Sequence, residues 1–139
     1  MAEQLLLQVG VKVLLKNSQG KYLLVRRNPK KYPDMKPSWD IVGGRINSGY
    51  GLFENLQREV KEETQLDLIE QPQLVAAQDI IRPDKHVVRL TYVGTVDGDP
   101  VIDEESLEAK WFSPVELLAL GDELDRFLKE LIDTKVISL

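Results

Sequence analysis

The sequence predicts an α/β domain built on a mixed sheet, and three observations carry that expectation. Apolar residues alternate with a period of two in several short segments, as half-buried strands require. One pair of such segments is joined by turn chemistry short enough for a hairpin, so part of the pairing is antiparallel. Amphipathic helical stretches interleave with the strands instead of following them as a block.

The elements follow in order. Val9, Val11 and Val13 alternate with Gly10 and Lys12 and read as a strand. NSQG (17–20) is turn chemistry, and KYLLVRR (21–27) is the returning strand of a hairpin. Residues 28–38, NPKKYPDMKPS, hold three prolines and four charges and form a surface loop. WDIV (39–42) is a short strand running into a Gly43-Gly44 turn. A helix is expected from Leu52 to Thr64. Extended segments follow at 66–80 and at 86–96, the second rich in β-branched residues. DGDP (97–100) is a turn, DEESLE (103–108) an acidic loop and AKWF (109–112) a last strand. Ser113-Pro114-Val115-Glu116 is a capping box with proline at the first helical position. GDELDRFLKELID (121–133) predicts a terminal helix with Leu124, Phe127, Leu128 and Leu131 on one face.

Composition narrows the function classes. With 139 residues, the chain is expected to form one domain over 1–139, large enough to bury a core without staples. It has no cysteine, which excludes disulfides, thiolate metal sites and a catalytic thiol. A net charge of −5 argues against a long nucleic acid as partner. The apolar run at 5–15 is broken by Gln8 and Lys12, too short to span a membrane and without the basic start of a signal peptide. A cytoplasmic protein is the expectation, and a homodimer is left open.

The chemistry concentrates on the helix at 52–64. On a helical wheel Leu52, Phe53, Leu56 and Val60 form the expected buried stripe, with Glu54, Gln57 and Lys61 opposite. Glu59 and Glu63, four residues apart, lie at the edge of that stripe, and Glu62 flanks them. Like charges at this spacing cost about a few tenths of a kcal/mol even in water, and burial raises the cost. A divalent cation would relieve it, and clustered carboxylate oxygens suit the hard ions Mg²⁺ and Mn²⁺. A solvated acidic face is the alternative that the triplet alone leaves open.

The surroundings of the triplet favour the metal. The segment GGRINSGYGLFENLQREVKEETQL (43–66) resembles the Nudix box, G(x5)E(x7)REUxEExGU. Gly44 matches its opening glycine; Arg58, Glu59, Val60, Glu62, Glu63 and Leu66 match its core and closing apolar position. WDIVGG and YLLVRR upstream, and KWFSPVEL downstream, are similar to segments flanking the box in that family.

The resemblance implies a Nudix fold, a mixed β-sheet sandwiched between helices. It also implies a hydrolase that cleaves the diphosphate linkage of a nucleoside triphosphate, ADP-ribose or similar small molecule. Glu59, Glu62 and Glu63 would hold Mg²⁺ or Mn²⁺, and Arg58 would hold the carboxylate array. Glu59 would be ligand, general base or both, with Glu105 favoured over Glu104 and Glu108 as a base from the later loop. Arg26 and Arg27 alternate faces at a strand end, so one of them would reach the substrate's phosphates beside the Gly44 loop. Trp39, with Tyr32 and Tyr92, is a candidate for stacking on a base, whereas His86, Lys30, Lys31 and Lys36 are expected to be surface groups. A non-catalytic nucleotide- or partner-binding module on the same fold is the competing function. An isoprenoid isomerase is set aside, since that chemistry resembles one that needs cysteine.

Two positions depart from the pattern. Tyr50 replaces the glutamate that typically pairs with the box arginine, and its phenol is the expected weaker partner of Arg58. Gln65 replaces the closing glycine, which suits a left-handed helix end, so either the helix exits differently or the position is mildly strained.

Overall fold

The computed structural model describes residues 5–28, 30, 38–104 and 106–139. Glu105, Lys31, Tyr32 and Lys36, singled out above, lie outside the described residues. Seven strands form one mixed sheet. Strand β1 (Leu6–Lys16) is its spine: it runs parallel to β6 (Lys85–Thr95) along its whole length and antiparallel to its other partners. Strand β2 (Tyr22–Arg27) returns from β1 through the NSQG turn and also pairs with β7 (Ser106–Phe112). The antiparallel edge is β5 (Gln73–Ile81), on β6. Residues 39–45 change partners midway: β3 (Trp39–Asp40) pairs with β2, and β4 (Val42–Arg45) pairs with β1.

The alternation of β1 sends its side chains into two separate cores. Val11, Val13 and Leu15 pack with Leu23, Val25, Val42 and Tyr92 beneath helix α1 (Leu52–Thr64). Leu14 packs on the other face with Leu24, Trp39, Ile41 and Phe112. That second core is closed by Leu117 of α2 (Pro114–Leu118) and by Leu128 and Leu131 of α3 (Arg126–Asp133). The sheet is therefore covered by helices on both faces, the expected α/β architecture.

Several sequence expectations are corrected. Gly43 and Gly44 are strand residues of β4 and do not form a turn. Gly43 has φ 144°, and a Cβ there would lie 2.0 Å from the Val11 carbonyl oxygen, so this pairing demands glycine. The segment after α1 becomes a strand only at Gln73, just past Pro72, whose nitrogen cannot join a ladder. The acidic segment 103–108 is not all loop, since β7 already begins at Ser106 against β2. The terminal helix does not run from 121 to 133. Gly121, at φ 55°, belongs to a 3₁₀ turn (Gly121–Glu123), and Leu124 is extended and bridges to Trp39. The helix then restarts under an Asp125 cap that accepts from the Phe127 and Leu128 N–H groups. Ser113 and Glu116 form the expected reciprocal capping box of α2.

Candidate active site

Helix α1 places its acidic residues by the stripe they share with the core. The residues it buries are Asn55, Leu56, Glu59, Val60, Glu63 and Thr64; Leu52 and Phe53, expected in that stripe, are exposed. The inner side of the first turn faces the preceding loop through Asn55, which leaves those two apolar side chains pointing outward. Asn55, Glu59 and Glu63 form one row at i, i+4 spacing, polar along its length and turned toward β4. Glu62 lies off that row and is largely open to solvent.

The two buried carboxylates have different partners. Glu63 is 1% exposed; its Oε2 accepts from the Gly43 N–H at 2.7 Å, and its Oε1 accepts from Arg27 Nη1. Arg27 Nη2 donates in turn to the Gly43 carbonyl at 3.1 Å, so one guanidinium ties β2, β4 and α1 together. Glu59 accepts from Arg58 Nη1 at 2.9 Å, and its carboxylate covers Gly44 so closely that a Cβ there would lie 2.8 Å from an oxygen. Burial pushes the Glu59 carboxyl above its usual pKa and Glu63 adds to that, while Arg58 opposes it. Glu63 is also raised by burial, against the pull of Arg27 and Lys12.

Arg58 fans across four acceptors. Beyond Glu59 it donates to Glu62 Oε2 at 3.4 Å, Asn55 Oδ1 at 3.0 Å and the Arg45 carbonyl at 3.2 Å. The expected Tyr50 contact is corrected: Tyr50 is 64% exposed and only lines a hollow of about 360 Å³ with Asn47, Glu54, Asn55 and Arg58. Asn55 is the residue that sequence reasoning missed. Extending the Glu63–Glu59 spacing back by four would have found it. Of the two alternatives at Gln65 the structure has the left-handed one, φ 59° and ψ 15°, with its N–H bonded to the Lys61 carbonyl.

The other candidates fall elsewhere. Arg26 and Trp39 lie on the opposite face of the sheet. Arg26 sits 5.5 Å from the Trp39 ring centroid and pairs with Glu108 at 2.9 Å, and Trp39 packs edge-on against Phe112 in the second core. Tyr92 is buried beneath α1, and His86 bonds the edge residue Asp79 at 2.7 Å. The site therefore gathers Arg27, Gly43, Gly44, Asn55, Arg58, Glu59 and Glu63. It does not gather Arg26 or Trp39.

The donor set suits a hard divalent ion in kind: carboxylate oxygens a helical turn apart, buried, and disfavoured as anions by that burial. Among the described residues no three acidic side chains converge on one point, and Arg27 and the Gly43 N–H each bond one oxygen of Glu63.

Comparison with known proteins gives a consistent result. The NUDIX domain family model matches residues 6–133. The fold is similar to that of a MutT protein from Methanosarcina mazei Go1, with a TM-score of 0.79 and 24% identity over 96% of this chain and 95% of that one. It is also similar to the DR0079 protein of Deinococcus radiodurans, at 0.67 and 26% over 91% and 82%. A UDP-X diphosphatase aligns at 0.63 and 21% over 84% of this chain and 55% of its own length. No curated protein matches the sequence.

Proposed function

The chain belongs to the Nudix family, and from that premise we propose that it is a divalent-metal-dependent hydrolase cleaving the diphosphate linkage of a nucleoside diphosphate derivative. The observation that carries this proposal is the buried pair Glu59 and Glu63, facing Gly43–Gly44 with an arginine on each. Buried like charges persist where something binds them. The name UDP-X diphosphatase among the similar structures agrees with nucleotides as the substrate class. Residues 1–139 are taken as one catalytic domain.

Glu59 and Glu63 would hold Mg²⁺ or Mn²⁺, joined by Glu62 once its solvent-facing side chain turns inward. The ion supplies Lewis-acid polarisation of the phosphoryl oxygens and neutralises charge that builds on them. The protein's own groups do the remaining work. Glu59 accepts the proton of the attacking water at a carboxylate oxygen. Gly44 has no Cβ, which lets Glu59 lie against the backbone. Arg58 fixes the Glu59 rotamer, and Arg27 does the same for Glu63 while offering cationic charge to the diphosphate. Glu105 stays an alternative base in the proposal; Glu108 is committed to Arg26.

The test is incubation of the protein with nucleoside triphosphates, nucleotide sugars, ADP-ribose and dinucleotide polyphosphates, with Mg²⁺ and with EDTA, reading products by chromatography. Turnover of at least one class, abolished by EDTA, is expected. Nucleotide binding by calorimetry without any turnover would mark a binding module instead.

A further inference from the structure

We propose that Asn55 is a positioning residue: it holds Arg58, and through Arg58 the Glu59 carboxylate, a role that rests on the hydrolase reading above. Asn55 is only 1% exposed, and an amide so buried has to satisfy every donor and acceptor it carries. It does so on two sides. Its Nδ2 donates to the Gly51, Tyr50 and Asn47 carbonyls at 2.8, 3.1 and 3.4 Å, closing the loop before α1 onto the helix. Its Oδ1 accepts from the Asn47 N–H at 2.8 Å and from Arg58 Nη2 at 3.0 Å. A backbone N–H can only donate, so the Asn47 bond fixes which end of the amide faces Arg58.

The geometry makes Arg58 depend on that oxygen. Its Nη1 edge faces two carboxylates, Glu59 and the solvent-facing Glu62, and either could draw it. The Nη2 edge is anchored from behind by Asn55 Oδ1 and the Arg45 carbonyl, one from the helix and one from β4. With both anchors the guanidinium plane is set and Nη1 meets Glu59 at 2.9 Å against 3.4 Å for Glu62. Without Asn55 a single carbonyl is left, and the side chain is free to swing toward Glu62 and solvent. Tyr50 lines the same hollow, but the phenol is not among the acceptors of Arg58.

Two readouts test this: Mn²⁺ affinity of the folded protein by electron paramagnetic resonance, and kcat and KM on the best panel substrate. Asn55→Ala is expected to weaken Mn²⁺ binding and lower kcat by about tenfold each, the usual scale for a group supporting a metal ligand, with KM little changed. Asn55→Asp keeps an oxygen facing Arg58 and the Asn47 N–H and gives up the three Nδ2 bonds to the loop carbonyls; it is expected to stay within about twofold of wild type in Mn²⁺ affinity. Tyr50→Glu in the Asn55→Ala background puts a carboxylate into the hollow and should recover most of the loss. Far-UV circular dichroism establishes that each variant is folded, and if Asn55→Ala is not, Asn55→Asp decides alone. Loss in Asn55→Asp equal to that in Asn55→Ala, with no recovery from Tyr50→Glu, would make Asn55 a loop brace and overturn the proposal. So would wild-type behaviour of Asn55→Ala. A wild type that neither binds Mn²⁺ nor turns over any substrate would instead remove the hydrolase reading, and this one with it.

Discussion

At the scale of single residues, Gly44 links backbone to chemistry most directly. A methyl group there would meet the Glu59 carboxylate at 2.8–2.9 Å, and the obstructed atoms are the far end of a flexible side chain. The fold can yield cheaply and the carboxylate cannot stay. Gly44→Ala should therefore lower turnover by about tenfold or more while shifting the melting temperature by only a degree or two, a split that kinetics and a melting scan read together. Unchanged kinetics would mean that the carboxylate position seen here is not the working one. Gly44 was legible in the sequence because a motif names it. Asn55 was not. Helical spacing puts it in the Glu59–Glu63 row, but nothing in the sequence says that an amide there turns toward an arginine three residues on. Tyr50 misled for a related reason: alignment to a pattern gives a position, not a contact.

At the scale of elements, α1 decides which acidic residues can matter. Its buried row carries Glu59 and Glu63, and Glu62 points outward with its side chain 57% exposed. A carboxylate already in water gives up little when it is neutralised; one held against β4 gives up its whole arrangement. Glu59→Gln should lower kcat by about 100-fold or more, and Glu62→Gln by roughly tenfold. Steady-state kinetics at saturating Mg²⁺ would show it, and equal losses in the two variants would mean that the face of the helix has no bearing on the reaction. The helix was legible because its apolar and acidic periods agree. Its bounds fall where expected, but its buried stripe does not: Leu52 and Phe53 satisfy the wheel, yet the space inside the first turn belongs to the loop that Asn55 closes. The terminal helix failed for a different reason. Periodicity runs unbroken through 121–133, and only the Trp39–Leu124 bridge and the Asp125 cap interrupt it.

At the scale of the whole molecule, the sheet joins the site to the helices on its far side through a buried ion network. Lys12 Nζ donates to Asp40 Oδ2 at 3.1 Å, and Arg89 Nη2 meets Asp40 Oδ1 at 3.2 Å and Asp125 Oδ2 at 3.1 Å. Lys12 stands opposite Gly43 across β1 and β4, and Asp125 caps α3, so the network runs from the backbone beneath Glu63 to the terminal helix. No pattern in the sequence pairs these four residues, which come from four separate segments of the chain. Burial pushes the Asp40 carboxyl up, yet Lys12 and Arg89, with Arg27 and the Ile41 N–H, outweigh it and hold Asp40 well below the usual carboxylate range. Asp125 goes the other way, raised by burial and by Asp40 in spite of Arg89. The two aspartates should therefore respond differently to neutralisation. Asp40→Asn leaves two buried cations without their shared counter-charge and should cost about 3 kcal/mol at neutral pH. Asp125→Asn removes an anion the site disfavours, keeps a side chain that caps helices well, and should cost less than about 1 kcal/mol. The sign of the pH effect follows from the Asp40 shift. A depressed carboxyl stabilises the fold above its ordinary pKa of 3.8, and that contribution is lost as pH falls toward the lower, folded value. Urea unfolding at neutral pH and near pH 3 should show the gap between wild type and Asp40→Asn full at the first and narrowed at the second. A gap that stays constant, or an Asp125→Asn as damaging as Asp40→Asn, would mean that the network does not carry the balance of charge described here.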